Sequence, residues 1–207
     1  MNIPDQPAPI PEDVQLMLHP EEWEYAEKLR GYRQIQFIGG RLALHDAGRL
    51  LGVSAAPSLP DHWGAPIVPQ RMVGSISHKR TLAVAMMARP EGQSLGVDLE
   101  TYGPPRPRVA SKVLTPEELR SVAELPESRQ WISTLVRFSI KEALYKALHP
   151  HLRRYVDFQE VSVFPDLQGG ASIDLHLTPP GPPLQVAVRY DWLHGYLLTS
   201  ARVRRVG

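Results

Sequence analysis

The chain has 207 residues and 43% hydrophobic content, enough for one large domain or two small ones built around a core. Its 23 Lys+Arg stand against 22 Asp+Glu; a net charge of +1 excludes a bulk drive towards nucleic acid or membrane, so any basic site must be local. Cysteine is absent, which excludes disulfides and thiol catalysis, and there is neither a run of about 18 apolar residues nor a basic and then apolar amino terminus, so the cytoplasm is the expected compartment.

In chain order, His19-Pro20-Glu21-Glu22 opens a helix that runs to about residue 30, and a longer helix covers residues 34–51 and stops at Gly52. Residues 81–88 and 94–100 then read as the two arms of a hairpin around Pro90-Glu91-Gly92. Thr115-Pro116-Glu117-Glu118 is a capping box with proline at the first helical position, and the next long helix is expected over residues 129–148. His149 and His151 flank Pro150 and are placed beyond that helix's end. Strands return at 158–164, 173–177, 184–190 and 196–203, and the 21 prolines gather at 4–11, 57–69, 104–107 and 179–183, where the chain should run extended.

This order of helices and strands repeats. Leu18-His19-Pro20-Glu21-Glu22 is echoed by Leu114-Thr115-Pro116-Glu117-Glu118, and Leu82-Ala83-Val84-Ala85 by Leu184-Gln185-Val186-Ala187. Two similar α+β halves are expected, residues 1–100 and 101–207, with the active site in the cleft between them; shared capping and strand chemistry would produce the same echoes without a duplication.

Two short segments carry the chemistry. In Gly96-Val97-Asp98-Leu99-Glu100 the apolar residues alternate with Asp98 and Glu100, so a strand would send both carboxylates out of one face, roughly 6 to 7 Å apart at the backbone. In Phe138-Ser139-Ile140-Lys141-Glu142-Ala143-Leu144-Tyr145-Lys146, Glu142 and Lys146 lie four apart on one helix face. Mg²⁺ takes few carboxylates and prefers phosphate oxygens for its remaining ligands, so three acids beside lysines read as a metal-bound diphosphate site; zinc is disfavoured without cysteine or a histidine pair in a ligand pattern. The bland alternatives are a solvated strand end and a salt-bridged helix face.

Four blocks in order resemble the Sfp-type (type II) 4′-phosphopantetheinyl transferases, and more closely the EntD-like subgroup: residues 33–52 with Gly40-Arg41-Leu42-Ala43, then Val73-Gly74-Ser75-Ile76-Ser77-His78, then Gly96 to Glu100, then Phe138 to Leu148 with its Lys-Glu-Ala-x-x-Lys core. The resemblance implies a pseudo-twofold pair of α+β halves in one chain. It also implies transfer of 4′-phosphopantetheine from coenzyme A to a serine of an apo acyl or peptidyl carrier protein, releasing 3′,5′-adenosine diphosphate. Asp98, Glu100 and Glu142 would hold Mg²⁺, and Lys141 and Lys146 would contact the diphosphate of coenzyme A. Glu142, or a water it holds, would be the base for the carrier serine, with Lys146 as its catalytic partner. Ser77 and His78 would hold nucleotide phosphates, and Arg33 and Arg41, eight apart, would share a face towards the 3′-phosphate. Residues 64–69 resemble the segment beside the adenine, without the basic residue often found there.

A monomer is expected, with the carrier protein docking near residues 104–114, where Arg106, Arg108 and Lys112 mix with Val109, Val113 and Leu114. Competing readings are a silent homologue that binds coenzyme A or carriers, and a metal-dependent coenzyme A diphosphate hydrolase.

Overall fold

The computed structural model describes residues 1–54 and 56–206. Two compact units divide the chain, Met1–Glu91 and Gly92–Gly207, each combining helices with antiparallel strands. The expected pair of α+β halves is therefore present. Its boundary falls before the Asp98 strand rather than after Glu100, because that strand pairs within the second unit.

The first unit contains α1 (Glu12–Leu16), α2 (Pro20–Glu27), α3 (Tyr32–Leu50), β1 (Val73–Lys79) and β2 (Leu82–Ala88). His19 caps α2: its side chain accepts from the Glu21 amide, while the Glu22 carboxylate returns to the His19 amide at 3.1 Å. This reciprocal box satisfies donors that the first helical turn leaves open. Helix α3 buries Ile35, Ile38, Leu42 and Leu44; Leu42 and Ile38 pack with Leu18 and Ala26 on one side, and Ala43 packs with Ile3 and Ala83 on the other. Strands β1 and β2 form a hairpin from Val73↔Ala88 to Lys79↔Leu82, turned at Arg80 with a positive φ of 46°.

The second unit contains β3 (Gln93–Thr101), α4 (Pro107–Val113), α5 (Pro116–Ala123), α6 (Glu127–Leu152), a 3₁₀ turn (Phe158–Glu160), β4 (Val161–Pro165), β5 (Ala171–Leu175), β6 (Leu184–Leu193) and β7 (Tyr196–Arg205). The expected hairpin of residues 81–88 with 94–100 does not form. Strand β2 takes β1 as its partner, and β3 pairs with β7 in a sheet ordered β3-β7-β6. Helix α6 lies on this sheet and buries Ile140, Leu144 and Leu148 completely, each contributing about 1.5–3 kcal/mol relative to exposure. It runs about a turn further than its sequence pattern indicates, so His149, Pro150 and His151 lie in its last turn, not beyond it. His151 Nε2 sits 2.8 Å from the buried Ser94 hydroxyl, which ties that turn to β3.

Candidate active site

The meeting of α6 with β3 is set by Gly96. A Cβ there would lie 1.8 Å from the Ala143 carbonyl oxygen and 3.0 Å from the Ala147 amide nitrogen, so only glycine lets the helix cross this closely. Ser139 and Lys146 lie about one turn before and after Ala143, on the same face, and both reach the next inward residue of the strand, Asp98. The Ser139 hydroxyl donates to Asp98 Oδ2 at 2.8 Å. The Lys146 ammonium donates to Asp98 Oδ1 at 3.3 Å and to the Val97 carbonyl at 2.7 Å. Asp98 is only 6% exposed, so its charge stands in a low-dielectric seam where these partners count for more than on the surface.

Glu142 lies one turn before Lys146, half-buried. It lines a cavity of about 270 Å³ with Tyr145, Leu148, Tyr155, Val156 and Phe158. Glu100 is two residues beyond Asp98, half-buried and opposite Leu197 in the sheet. Asp98 and Lys146 thus meet on the α6–β3 seam, while Glu142 lies one turn before Lys146 on α6, at the cavity. Among the described residues, no group of three or more acidic or histidine side chains is close enough together to hold a metal ion.

Lys141 has another position than its sequence neighbours indicate. Its ammonium is buried and donates to the Glu118 carboxylate at 2.6 Å, the Val113 carbonyl at 2.7 Å and the Phe158 carbonyl at 2.8 Å. These use its three protons, so the expected diphosphate contact from Lys141 is replaced by an internal clamp. Burial pulls the Lys141 ammonium below the usual lysine range, and Glu118 opposes that pull. Glu118, completely buried, also accepts from the amides of Thr115 and Val163. The sequence pattern marks Glu118 as a capping residue; its second role as the partner of Lys141 follows from burial, which only the packed structure shows. Ser139 and Thr199 were missed as well, one inside the motif and the other across the sheet from Asp98.

In the first unit, Arg41 is 6% exposed, and its Nε donates to the Ser58 carbonyl while its guanidinium lies 4.3 Å from the centre of the Phe37 ring. Burial lowers its pKa to about 10. Arg33 is exposed near the start of α3, so the two arginines differ in environment despite their spacing: eight residues turn the helix about 80° past two full turns. The Ser58 amide donates to Glu22, which also meets His45 at 3.1 Å. Burial alone would raise the Glu22 carboxyl, but the bonds from His45, Ser58 and His19 hold it below the usual carboxylate range. Ser77 and His78 are adjacent on β1 and therefore face opposite sides: Ser77 is buried, while His78 lines an open cavity of about 450 Å³ with Tyr32, Gln36, Lys79 and Arg80.

Helix α4 occupies the segment where docking was expected. Val113 and Leu114 are 3% and 1% exposed and pack with Val122, whereas Arg106, Arg108 and Lys112 face solvent. Of the mixed basic and apolar set, the basic residues are exposed, Val109 is half-buried, and Val113 and Leu114 are buried against the α5–α6 core.

Comparison with known proteins follows the same division. The model of the 4′-phosphopantetheinyl transferase superfamily matches residues 94–201, and that of the 4′-phosphopantetheinyl transferase N-terminal domain matches residues 21–88. The chain is 30% identical over 184 residues to 4′-phosphopantetheinyl transferase Svp of Streptomyces mobaraensis, covering 83% of this chain and 70% of that protein. It is 31% identical over 173 residues to 4′-phosphopantetheinyl transferase Npt of Nocardia iowensis, covering 78% and 72%. Enterobactin synthase component D of Salmonella typhi is 27% identical over 164 residues, covering 77% and 67%. These likenesses agree with the Sfp-type, EntD-like resemblance of the four sequence blocks. With one family model spanning the α6–β3 site and a second matching residues 21–88 of the first unit, the chain belongs to the 4′-phosphopantetheinyl transferase superfamily.

Proposed function

We propose that this chain transfers 4′-phosphopantetheine from coenzyme A to a serine hydroxyl of an apo acyl or peptidyl carrier protein. The serine oxygen forms a new bond to the phosphorus bearing the pantetheine arm, the bond from that phosphorus to the bridging oxygen of the diphosphate breaks, and 3′,5′-adenosine diphosphate leaves. The observation that carries the reading is the seam itself: Asp98 and Lys146 are held together at 3.3 Å, with Glu142 one turn away at a cavity.

The side chains fit Mg²⁺. Asp98, Glu100 and Glu142 offer oxygen only, and a site left open by its protein ligands matches an ion that keeps water and phosphate oxygens around it. Mg²⁺ bound there would neutralise charge on the diphosphate. Lys146 adds a second positive charge where the leaving group becomes more negative, the main demand of phosphoryl transfer. Glu142, or a water it orients, takes the serine proton. The cavity beside it, lined by Tyr145, Leu148, Val156 and Phe158 together with Asp157 and Lys141, is proposed to receive the pantetheine arm, whose amides and apolar carbons match a mixed lining.

His78 and Arg41, with Ser77 and Arg33, are proposed to meet the nucleotide phosphates, as the family resemblance implies. Basic residues on α4 are proposed to receive an acidic carrier. The enzyme is proposed to act as a monomer in the cytoplasm; no helix among the described residues is long and apolar enough to cross a membrane. The test is intact-protein mass spectrometry of an apo carrier domain incubated with coenzyme A, Mg²⁺ and this protein. The expected result is a mass gain of one phosphopantetheine on the carrier serine; coenzyme A cleavage without any carrier modification would overturn the reading in favour of hydrolysis.

A further inference from the structure

Asp98 is held from behind by a chain of two buried hydroxyls. Its Oδ2 receives the Ser139 hydroxyl at 2.8 Å, and Ser139 Oγ lies 2.9 Å from Thr199 Oγ1. Thr199 is the direct cross-strand partner of Asp98 on β7, and both Ser139 and Thr199 are completely buried. Ser139 has one proton, and a bond to an ionised carboxylate is stronger than one to a hydroxyl, so that proton goes to Asp98 and Thr199 supplies the second bond.

The surroundings give these hydroxyls no other evident task. Around them the seam is built largely from small residues, Gly96, Ala143, Ala147 and Ala201, and apolar side chains of similar volume would fill the two positions without polar groups to satisfy. Placed where they are, the hydroxyls hold Oδ2 at Ser139 and leave Oδ1 to Lys146, about two turns further along the same helix.

We infer that Ser139 and Thr199 are positioning residues that fix the orientation of Asp98 and so set metal affinity at the site. This deepens the proposed function and rests on its assignment of Asp98 to the metal. Partners that orient ligating groups from outside the coordination sphere typically influence affinity or activity by 10–100-fold, which sets the scale of the test.

The test measures Mn²⁺ binding to the full-length protein by electron paramagnetic resonance, with melting midpoints recorded alongside. Ser139→Ala should weaken Mn²⁺ binding by roughly 10- to 100-fold. Thr199→Val, which preserves shape but removes the hydroxyl, should weaken it by about fivefold, the scale of one neutral hydrogen bond. Thr199→Ser, which keeps the hydroxyl, should bind like the wild type even if it melts earlier. If Ser139→Ala does not fold, the Thr199→Val and Thr199→Ser pair decides by itself. Wild-type Mn²⁺ affinity in Ser139→Ala and Thr199→Val, while Asp98→Asn has lost it, would show the hydroxyls to be structural and overturn the inference alone. Wild-type affinity in Asp98→Asn as well would remove the metal assignment beneath it.

Discussion

Lys141 and Glu118 form a completely buried ion pair at 2.6 Å, and the first unit contains its counterpart in His45 and Glu22 at 3.1 Å. Each pair joins the third residue of a capping-box helix to a long helix 23 positions later, from 22 to 45 and from 118 to 141. Each glutamate also accepts from the amide of its own capping residue, His19 or Thr115. The equal step and equal role are the strongest sign of duplication in the chain, stronger than the sequence echoes that first point to it.

Lys141→Met should destabilise the protein by about 3–5 kcal/mol, because it leaves the Glu118 charge buried without its partner. The double variant Lys141→Met with Glu118→Gln should recover part of that loss. Urea unfolding checks both. A Lys141→Met protein that unfolds like the wild type but has lost coenzyme A affinity would return Lys141 to the diphosphate.

Glu142→Gln should abolish transfer while leaving the fold intact, since its side chain lines the cavity rather than filling the core. Losing transition-state charge stabilisation of about 3 kcal/mol or more costs over 10²-fold in rate. Retention of more than a tenth of the activity in folded variant protein would remove Glu142 from its assigned role.

Arg41→Ala should weaken coenzyme A by roughly 1.5–3 kcal/mol more than it weakens 3′-dephospho-coenzyme A. The same variant should also lower the melting midpoint, because Arg41 is buried and bonded to the Ser58 carbonyl. Calorimetric titration with both ligands separates the two effects: equal losses for both mean that Arg41 acts only through the fold.

Charge reversal at Arg106 and Arg108 should raise the KM for the carrier protein and leave that for coenzyme A nearly unchanged, most visibly at low salt, where steering by surface charge is least screened. Val113→Asp should instead unfold the protein, since Val113 is 3% exposed. Unaltered carrier kinetics in the folded arginine variants would place docking elsewhere.

Gly96→Ala should cost on the order of 1–3 kcal/mol and lower kcat beyond what that loss explains. The added carbon meets backbone rather than a yielding side chain, so α6 must move away from β3 and take Ser139 and Lys146 with it. Thermal unfolding with kcat measured well below the midpoint provides the check.

Features that depend on a few neighbouring residues were legible in the sequence: the capping boxes at His19 and Thr115, the long helices, β3 with Asp98 and Glu100 on one face, and Glu142 a turn from Lys146. Hydrophobic spacing and capping chemistry act over one or two turns, so they are written locally. The partners were not. Strand β3 pairs with β7, about a hundred residues on, instead of with its neighbour β2, and the motif's lysines divide, Lys141 to a buried clamp and Lys146 to Asp98. A helix period sets the angle between residues 141 and 146 but not which side will be covered. That was decided when Gly96 let α6 settle on the sheet and Glu118 came within reach of Lys141, because burial of charge is a property of packed elements and not of the segment that carries it.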